Sequence, residues 1–224
     1  MGPWDIMSEH FVKRDEPPPG LSSFTKIRLG WISSEQVLLA KPGETTCAFL
    51  SPLSQKGNTF VVKIPLKGES YYLVENRQPN GFDRTLPDSG ILILKVDPSA
   101  AEGYGTVRVM DADRSSPHFS HATLRLDREN RTIFMDKASN VAIMPLWSEG
   151  GNQGVLITSP QKSTEALKTA LLIQKLLQRY PESRGPGQGE EGRLLQDCIA
   201  SFKNFDFKKC DQIAQKMLKG QGRN

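Results

Sequence analysis

A cluster of charged and amide side chains lies between two apolar runs in the first half of the chain, residues 71–74 and 91–96. The segment between them contains turn-forming Pro, Asn, Asp and Gly and is longer than a tight hairpin needs, and long ordered connections often carry function. Its candidate binding residues are Glu75, Asn76, Arg77, Asp83, Arg84 and Asp88. The alternative is structural, with Arg77 and Arg84 pairing with neighbouring carboxylates to hold the loop.

Metal-binding patterns are incomplete in this chain. None of the histidines, His10, His118 and His121, is followed by Glu, so the HExxH motif of zinc peptidases is absent. His118 and His121 can approach a common metal, but no third ligand is in register with them. Asp111 and Asp113 resemble oxygen-rich calcium ligands, although the glycine and closing Glu of an EF-hand are missing. No cofactor is expected in this chain, and calcium on the loops stays an open alternative.

Short apolar segments with a two-residue period begin near residue 35 and continue to residue 158. The predicted strands are residues 36–40, 46–50, 59–64, 71–74, 91–96, 106–110, 122–126, 132–135, 141–146 and 154–158. Turn formers separate them and no helical segment intervenes. This pattern is typical of an antiparallel sandwich or barrel-like module.

Helical periodicity marks the two ends of the chain. Near the start, a short helix capped by Ser22 or Ser23 is expected to end at Gly30. Its apolar face comprises Phe24, Ile27 and Trp31. Near the end, the sequence predicts an amphipathic helix over residues 163–180, a linker over residues 181–192 and a helical hairpin over residues 193–219. The expected fold is therefore mainly β, with a short N-terminal helix and a C-terminal α-helical tail.

The net charge of +4 belongs to the C-terminal part of the chain. From residue 162 onward, 12 Lys and Arg accompany 7 Asp and Glu. Acidic residues interrupt the basic ones and no aromatic-rich basic groove is present, so nucleic-acid binding is not expected. No window approaches 18 consecutive apolar residues, and therefore no membrane span is expected. The N-terminus has no recognisable targeting signal.

Two of the three cysteines are positioned to meet. Cys198 and Cys210 lie six residues on either side of Asn204, the middle of the expected hairpin turn. Two alternatives are open at this point: a disulfide, or two buried thiols that act as small hydrophobes. Cys47 is expected to lie in a strand.

Six short motifs in the first 100 residues together resemble a known family. They are GPWDIMS (2–8), LGW (29–31), YYLVENRQ (71–78), GFD (81–83), LP (86–87) and GILILKVD (90–97). In this order and spacing they are similar to the C-terminal half of the catalytic domain in the immune inhibitor A family of secreted zinc metallopeptidases. The resemblance implies that Trp4, Asp5 and Met7 belong to a Met-turn, in which the Met7 thioether forms an apolar floor beneath the metal-binding histidines.

The chain departs from the family at the motif that carries its chemistry. The zinc histidines and the general-base Glu that activates the metal-bound water in the family are absent. Two explanations are open: the chain is a portion of a longer peptidase, or it is a non-catalytic descendant that kept the β-rich half. The first is favoured because Trp4, Ile6 and Met7 are apolar and need a covering partner.

The resemblance also sets the expected organisation and partners. It implies a catalytic-domain remnant at residues 1–34, before the β-sandwich-like module at 35–160 and the helical tail at 161–224. The expected partner is a missing N-terminal catalytic half or a protein substrate, with zinc in the parent family and an extracellular or cell-surface location. The expected function is that of the C-terminal portion of a secreted zinc metallopeptidase-like protein, inactive alone. The contrasting expectation is a non-catalytic extracellular module that binds protein or carbohydrate.

Overall fold

Residues 1–8, 16–101, 103–181 and 189–219 are described in the computed structural model of the chain. The chain divides into two compact units, residues 1–160 and residues 161–224. All the strands found among the described residues belong to the first unit. Helices make up the described part of the second unit.

Nine strands form two sheets within the described part of the first unit. They are β1 (Val37–Leu39), β2 (Thr46–Leu50), β3 (Val61–Pro65), β4 (Tyr71–Arg77), β5 (Gly90–Val96), β6 (Val107–Val109), β7 (Phe134–Asp136), β8 (Val141–Glu149) and β9 (Asn152–Thr158). One sheet has the order β1-β3-β4-β5-β6 and the other has the order β2-β9-β8-β7. Neighbouring strands are antiparallel except β1 and β3, which run parallel. Over the described ranges neither sheet closes into a barrel.

The two-residue period of the central strands explains how the five-stranded sheet buries both of its faces. On β4, Tyr72 and Val74 belong to an apolar cluster that includes Ile143 of the other sheet. Leu73, between them, belongs to a second cluster that includes Trp4. Strands buried on both faces have nearly continuous apolar sequences, as β5 does with GILILKV. The face that carries Leu73 therefore supports the N-terminal segment of the chain.

One predicted strand, residues 122–126, is not a strand in the structure. Only a single bridge joins it to β5, in which Ile91 N donates to Leu124 O at 3.1 Å and Leu124 N donates to Ile91 O at 2.8 Å. The next amide, that of Arg125, donates to Arg131 O at 2.7 Å. That amide points away from β5, because alternate residues of a strand direct their N–H groups to opposite sides. The ladder ends because, at the next pairing position, Ile93 O accepts from Met110 N at 2.9 Å and Ala122 N donates to Phe119 O at 3.3 Å. The other nine predicted strands each overlap an observed strand.

A short helix, α1 (Ser23–Arg28), precedes the strands. Ser22 is its N-cap, and the Ser22 hydroxyl accepts a hydrogen bond from Thr25 N at 3.5 Å. Gly30 follows the helix end with a φ of 72°. Trp31 differs from expectation, because the helix ends before it and its side chain is 65% exposed. It therefore does not share an apolar helix face with Phe24.

Three longer helices follow the strands. They are α2 (Pro160–Arg179), α3 (Gly189–Lys203) and α4 (Phe207–Lys219). Residues 204–206 join α3 to α4, and the rings of Phe202 and Phe207 lie 5.1 Å apart between their centroids. Because α3 begins at Gly189, the last four residues of the expected linker 181–192 are helical, while residues 182–188 lie outside the described residues. Among the helices described, none has both the length and the apolar character that crossing a membrane requires.

Candidate functional site

The N-terminal segment is the first part of the candidate site. Gly2–Trp4 forms a single 3-10 turn, and the Trp4 side chain is fully buried among apolar residues of the five-stranded sheet. Its indole Nε1–H donates to Phe119 O at 2.7 Å. Gly2 adopts a φ of 58°, and an added Cβ would come within 3.0 Å of the Phe119 ring. The segment is therefore fixed against the loop that carries Phe119. The expectation that Trp4 needs a covering partner is wrong, because the chain's own sheet covers it.

Asp5 locks a tight turn that exposes Met7. Ser8 N donates to Asp5 O at 2.9 Å, and Met7 N donates to the Asp5 carboxylate at 2.8 Å. The same carboxylate accepts hydrogen bonds from Ser22 N at 3.0 Å and from Thr25 Oγ1 at 2.9 Å. Asp5 is only 3% exposed, whereas Met7 is 76% exposed. A buried acid thus holds the backbone while an apolar side chain faces solvent.

Arg77 is the centre of a buried ion-pair network in the same region. Its guanidinium donates to Asp83 at 3.0 Å through Nε and at 2.8 Å through Nη2, and to Glu75 at 3.0 Å through Nη1. Two backbone carbonyls accept the remaining N–H groups, that of Trp4 at 2.7 Å and that of Gly20 at 3.5 Å. All five N–H donors of Arg77 are therefore used, and its side chain is fully buried.

The carboxylates around Arg77 also bind the backbone. Glu75 accepts a hydrogen bond from Ser23 N at 2.8 Å, and Asp83 accepts one from Gly20 N at 3.0 Å. Burial disfavours the charged guanidinium, but the adjacent Glu75 and Asp83 outweigh that effect and raise the pKa of Arg77. The network thereby connects the N-terminal segment, the start of α1 and the end of β4. We define the Arg77 cluster as Asp5, Glu75, Arg77 and Asp83.

Lys26 adds a second positive charge beside the Arg77 cluster. Its Nζ donates to the carbonyl of Leu53. Burial lowers the pKa of Lys26, and the carboxylates of Asp83, Glu75 and Asp5 oppose that shift. The half-buried Lys26 ammonium and the buried Arg77 guanidinium therefore lie near the carboxylates of this cluster.

Four of the six candidate binding residues are buried, and Arg77 pairs with the neighbouring carboxylates of Glu75 and Asp83, as the structural alternative expects. The candidate residues at most 1% exposed are Glu75, Asn76, Arg77 and Asp83. Their polar groups have interior partners; Asn76 Nδ2, for example, donates to Leu50 O at 2.8 Å. These four side chains hold the fold and are out of reach of a partner at the surface. Arg84 is exposed and Asp88 is half-buried, and binding of a partner by them stays a prediction.

Asp88 lies in a second charged cluster, with two arginines and a threonine. Arg125 Nη1 donates to it at 3.1 Å, Thr123 Oγ1 donates at 2.9 Å, and Arg131 Nη1 also donates to it. Burial opposes ionisation of this carboxyl, but hydrogen bonds from Arg131, Ser89 and Thr123 outweigh burial and lower the pKa of Asp88. Asp88 thus ties the segment before β5 to the loop around residues 123–131.

Replacing Asp88 with asparagine is expected to lower the free energy of unfolding by about 2 kcal/mol at neutral pH, because two arginines lose their shared carboxylate. The folded-state pKa of Asp88 lies below its ordinary value of 3.8. Its contribution is therefore present above that value and is lost as the pH falls through the folded-state pKa. The variant should lose less stability than the wild type between about pH 5 and pH 2. Urea denaturation across that range measures both effects.

Glu44→Gln is the matched control for Asp88→Asn. The Glu44→Gln substitution also removes one carboxylate charge, but from an exposed ion pair. In that pair the Glu44 carboxylate lies 3.6 Å from Lys41 Nζ. Exposed pairs contribute about 0 to 1 kcal/mol, so this variant should behave like the wild type. The prediction fails if Asp88→Asn and wild-type protein lose stability equally on acidification.

The histidines and acidic loop residues do not converge on a metal site. His121 Nδ1 lies 3.9 Å from Asp113 Oδ2, and Asp111 accepts a hydrogen bond from the amide of Asp113 at 3.1 Å within its own loop. His118 lines a separate cleft, and His10 lies outside the described residues. Across the described ranges, no three His, Cys, Asp or Glu side chains are grouped to hold a metal ion. The zinc that the family resemblance implies therefore finds no ligand set among these residues.

A cleft of about 300 Å³ opens beside the N-terminal segment. Its lining residues are Pro3, Glu16, Pro17, Pro19, Thr85, Pro87, Pro117, His118 and Ser120. The prolines present apolar rings and no amide donors. Thr85 Oγ1 is buried and has no hydrogen-bond partner in the structure. At the lip, His118 and Phe119 adopt φ values of 57° and 59°, a conformation that is uncommon outside glycine and that concentrates at functional sites.

The geometry limits what this region can do chemically. A buried charged cluster supports an exposed methionine turn, and a proline-lined cleft lies beside it. Such an arrangement can serve as a supporting or binding surface. Comparisons of the chain with protein-family models, with curated proteins and with solved structures find no match.

Proposed function

We propose that this chain is the C-terminal portion of a zinc metallopeptidase-like protein related to the immune inhibitor A family, and that it is inactive alone. In that proposal, the chain supplies the Met-turn that lies beneath the metal site and the β-rich module that supports this turn. The observation that carries the proposal is the turn at residues 5–8, in which the buried Asp5 fixes the backbone while Met7 is 76% exposed.

Met7 and Ile6 lie next to each other at an exposed turn that hydrogen bonds of Asp5 hold in place. Apolar side chains in a folded monomer ordinarily gain from burial, by about 25 cal/mol per Å² of apolar surface. Met7 is 76% exposed and Ile6 is 40% exposed, so neither side chain contributes its full burial energy to this fold. Asp5, which holds the turn, is buried away from water. An apolar surface held in this way is suited to a covering partner. In the proposal, that partner is the catalytic half whose zinc-binding histidines rest above Met7.

The zinc ligands and the general base would come from that other half. Zinc supplies a water activated for peptide-bond hydrolysis in the family that the chain resembles. Within the described ranges, this chain has no group of side chains that fits the metal, so its own contribution is support and orientation. Met7 would offer a soft apolar contact, and the Arg77 cluster would keep the turn in place.

The remaining parts of the chain have proposed roles in the same protein. We propose that residues 1–34 complete the catalytic domain, that residues 35–160 form a sandwich-like module, and that residues 161–224 form a helical tail. Apolar residues of both sheets share one cluster, which supports the sandwich-like arrangement. The proposed location is extracellular or at the cell surface, as in the family.

The proposal is tested first by reading the coding DNA in frame upstream of the Met1 codon for roughly 200 codons, the length of an ordinary domain. An HExxH helix there, followed by casein hydrolysis that a zinc chelator abolishes when the two halves are joined, is the expected result. A nearby stop codon without that motif would overturn the proposal. Zinc-dependent hydrolysis of casein by the present chain would overturn the claim that it is inactive alone.

Replacing Met7 with serine is expected to leave the free energy of unfolding within about 0.5 kcal/mol of the wild type, because the side chain is largely exposed. In the joined protein the same change should lower casein hydrolysis at least tenfold, or about 1.4 kcal/mol in the barrier, because the floor beneath the metal site is lost. Met135→Ser is the matched control, since Met135 is also exposed, at 42%, but lies on β7. Equal activities of the two variants would contradict a role for Met7.

A binding module is the second candidate, and the cleft beside the N-terminal segment favours it. Its volume of about 300 Å³ and its mixture of apolar rings with the unsatisfied Thr85 hydroxyl suit a small part of a protein or carbohydrate ligand. Screening the folded monomer against peptides and glycans tests this candidate. Filling the cleft with Thr85→Trp should abolish such binding, whereas Met7→Ser should preserve it.

A further inference from the structure

Two buried thiols meet between α3 and α4. Cys198 Sγ lies 2.7 Å from Cys210 Sγ and 3.3 Å from Cys210 O, and both side chains are 0% exposed. Both cysteines carry free thiols in this structure. No metal-binding group of three side chains includes either of them within the described ranges. The pair is therefore a site with its own chemistry, separate from the Met-turn and the cleft.

The separation of the two sulfur atoms is shorter than packing alone produces. Unbonded carbon atoms rest about 3.5–4.0 Å apart, and sulfur is larger than carbon. A disulfide bond is about 2.05 Å long, so the two sulfur atoms need to approach by less than ~1 Å to bond. Residues 204–206 hold the two helices in the register that produces this approach. The geometry thus favours the disulfide over two thiols that merely fill space.

We propose that Cys198 and Cys210 form an intramolecular disulfide by exchange with a low-molecular-weight disulfide such as oxidised glutathione. One cysteine thiolate attacks the glutathione disulfide, releasing one glutathione thiol and forming a mixed disulfide. The second cysteine then attacks the protein sulfur of that mixed disulfide and releases the second glutathione thiol. The protein loses two hydrogens and two electrons, and one glutathione disulfide becomes two glutathione thiols.

The burial of the pair determines when this exchange takes place. The hydrogen bond with Cys198, together with burial, raises the pKa of the Cys210 thiol, so the reactive thiolate is scarce in the closed hairpin. Exchange therefore proceeds while the hairpin is forming or open. Once made, the bond is shielded from reducing thiols, as structural disulfides in oxidising compartments are. It closes a loop of 13 residues, from 198 to 210.

The test uses the full chain with Cys47→Ala, which removes the third thiol. The protein is refolded with reduced and oxidised glutathione, denatured without reductant, and its thiols are titrated. We expect no free thiol, an intact mass lower by two hydrogens, and two thiols after reduction. Two free thiols, or a separate glutathione adduct on each cysteine, would overturn the proposal. If Cys47→Ala reduces the yield of folded protein, the wild-type chain is used instead. The expected number of free thiols before reduction is then one, that of Cys47.

Two further measurements separate a specific disulfide from nonspecific oxidation. In the Cys47→Ala background, Cys210→Ala leaves Cys198 alone, which should retain one thiol or one glutathione adduct. The oxidised pair should also raise the melting temperature of the helices on the order of 10 °C above that of the reduced protein. A melting temperature that is equal or lower on oxidation would show that the bond strains the hairpin, and would overturn its assignment to the folded state.

Discussion

Replacing Arg77 with methionine is expected to lower the free energy of unfolding by about 3–5 kcal/mol, the effect of removing one partner from a buried ion pair. Methionine fills a similar space but donates no hydrogen bonds. Glu75 and Asp83 then stay in the interior without the guanidinium, and the carbonyls of Trp4 and Gly20 lose their donors. Because Arg77 is fully buried, water cannot replace it without opening the structure.

Chemical denaturation of the purified chain measures this change. Arg84→Met is the matched control, because Arg84 carries the same group on the surface seven residues later and should change the free energy of unfolding by less than about 0.5 kcal/mol. Arg77→Lys should fall between them, since one ammonium cannot reproduce the two-point contact with Asp83. A loss below about 1 kcal/mol for Arg77→Met would mean that the cluster contributes no more than a surface ion pair.

The inward direction of Arg77 is the feature that the sequence could not reveal. Its charged neighbours in the sequence, and the turn residues after them, are typical of an exposed loop. The partners that turn it inward are Trp4 and Gly20, which lie 73 and 57 residues away along the chain. No local pattern encodes such a contact. Isolated buried arginines are costly, so only the complete set of partners makes this position possible.

Strand positions, in contrast, follow from local patterns. A strand with one or two buried faces shows alternation or a continuous apolar run, and β4, β5 and β9 show such runs clearly. Residues 122–126 have the same apolar character but pair with β5 through one bridge only. The sequence contains the propensity of that segment but not the competing hydrogen bond from Met110 N to Ile93 O, which depends on the tertiary fold.

The contrast between the tryptophans has the same physical origin. Trp4 and Trp31 both stand in short, turn-rich segments near the start of the chain. The helical spacing predicts Trp31 on the apolar face of a helix, but α1 ends at Arg28 and leaves Trp31 exposed. Trp4 is instead the buried one, because the Gly2 turn and the Phe119 carbonyl fix it against the sheet. This difference offers a matched pair of substitutions.

Trp4→Ala is expected to lower the free energy of unfolding by about 3–5 kcal/mol, the range for deleting a fully buried aromatic side chain. Three losses add here: the apolar contacts with the sheet, the hydrogen bond to Phe119 O, and the ring that lies 5.9 Å from the guanidinium carbon of Arg77. Trp4→Phe keeps most of the packing and should lose only about 1–3 kcal/mol, because it leaves the buried carbonyl without its donor.

Trp31→Ala supplies the control, because it deletes the same side chain at 65% exposure and should change stability by less than about 0.5 kcal/mol. Urea denaturation of the three variants separates packing from hydrogen bonding. If Trp4→Ala and Trp31→Ala are equally mild, the N-terminal segment is not docked as described, and the rigid Met7 turn that supports the proposed function has no anchor. If Trp4→Ala is severe while Met7→Ser is neutral, the fold holds the turn in place and leaves Met7 exposed, as the proposed function requires.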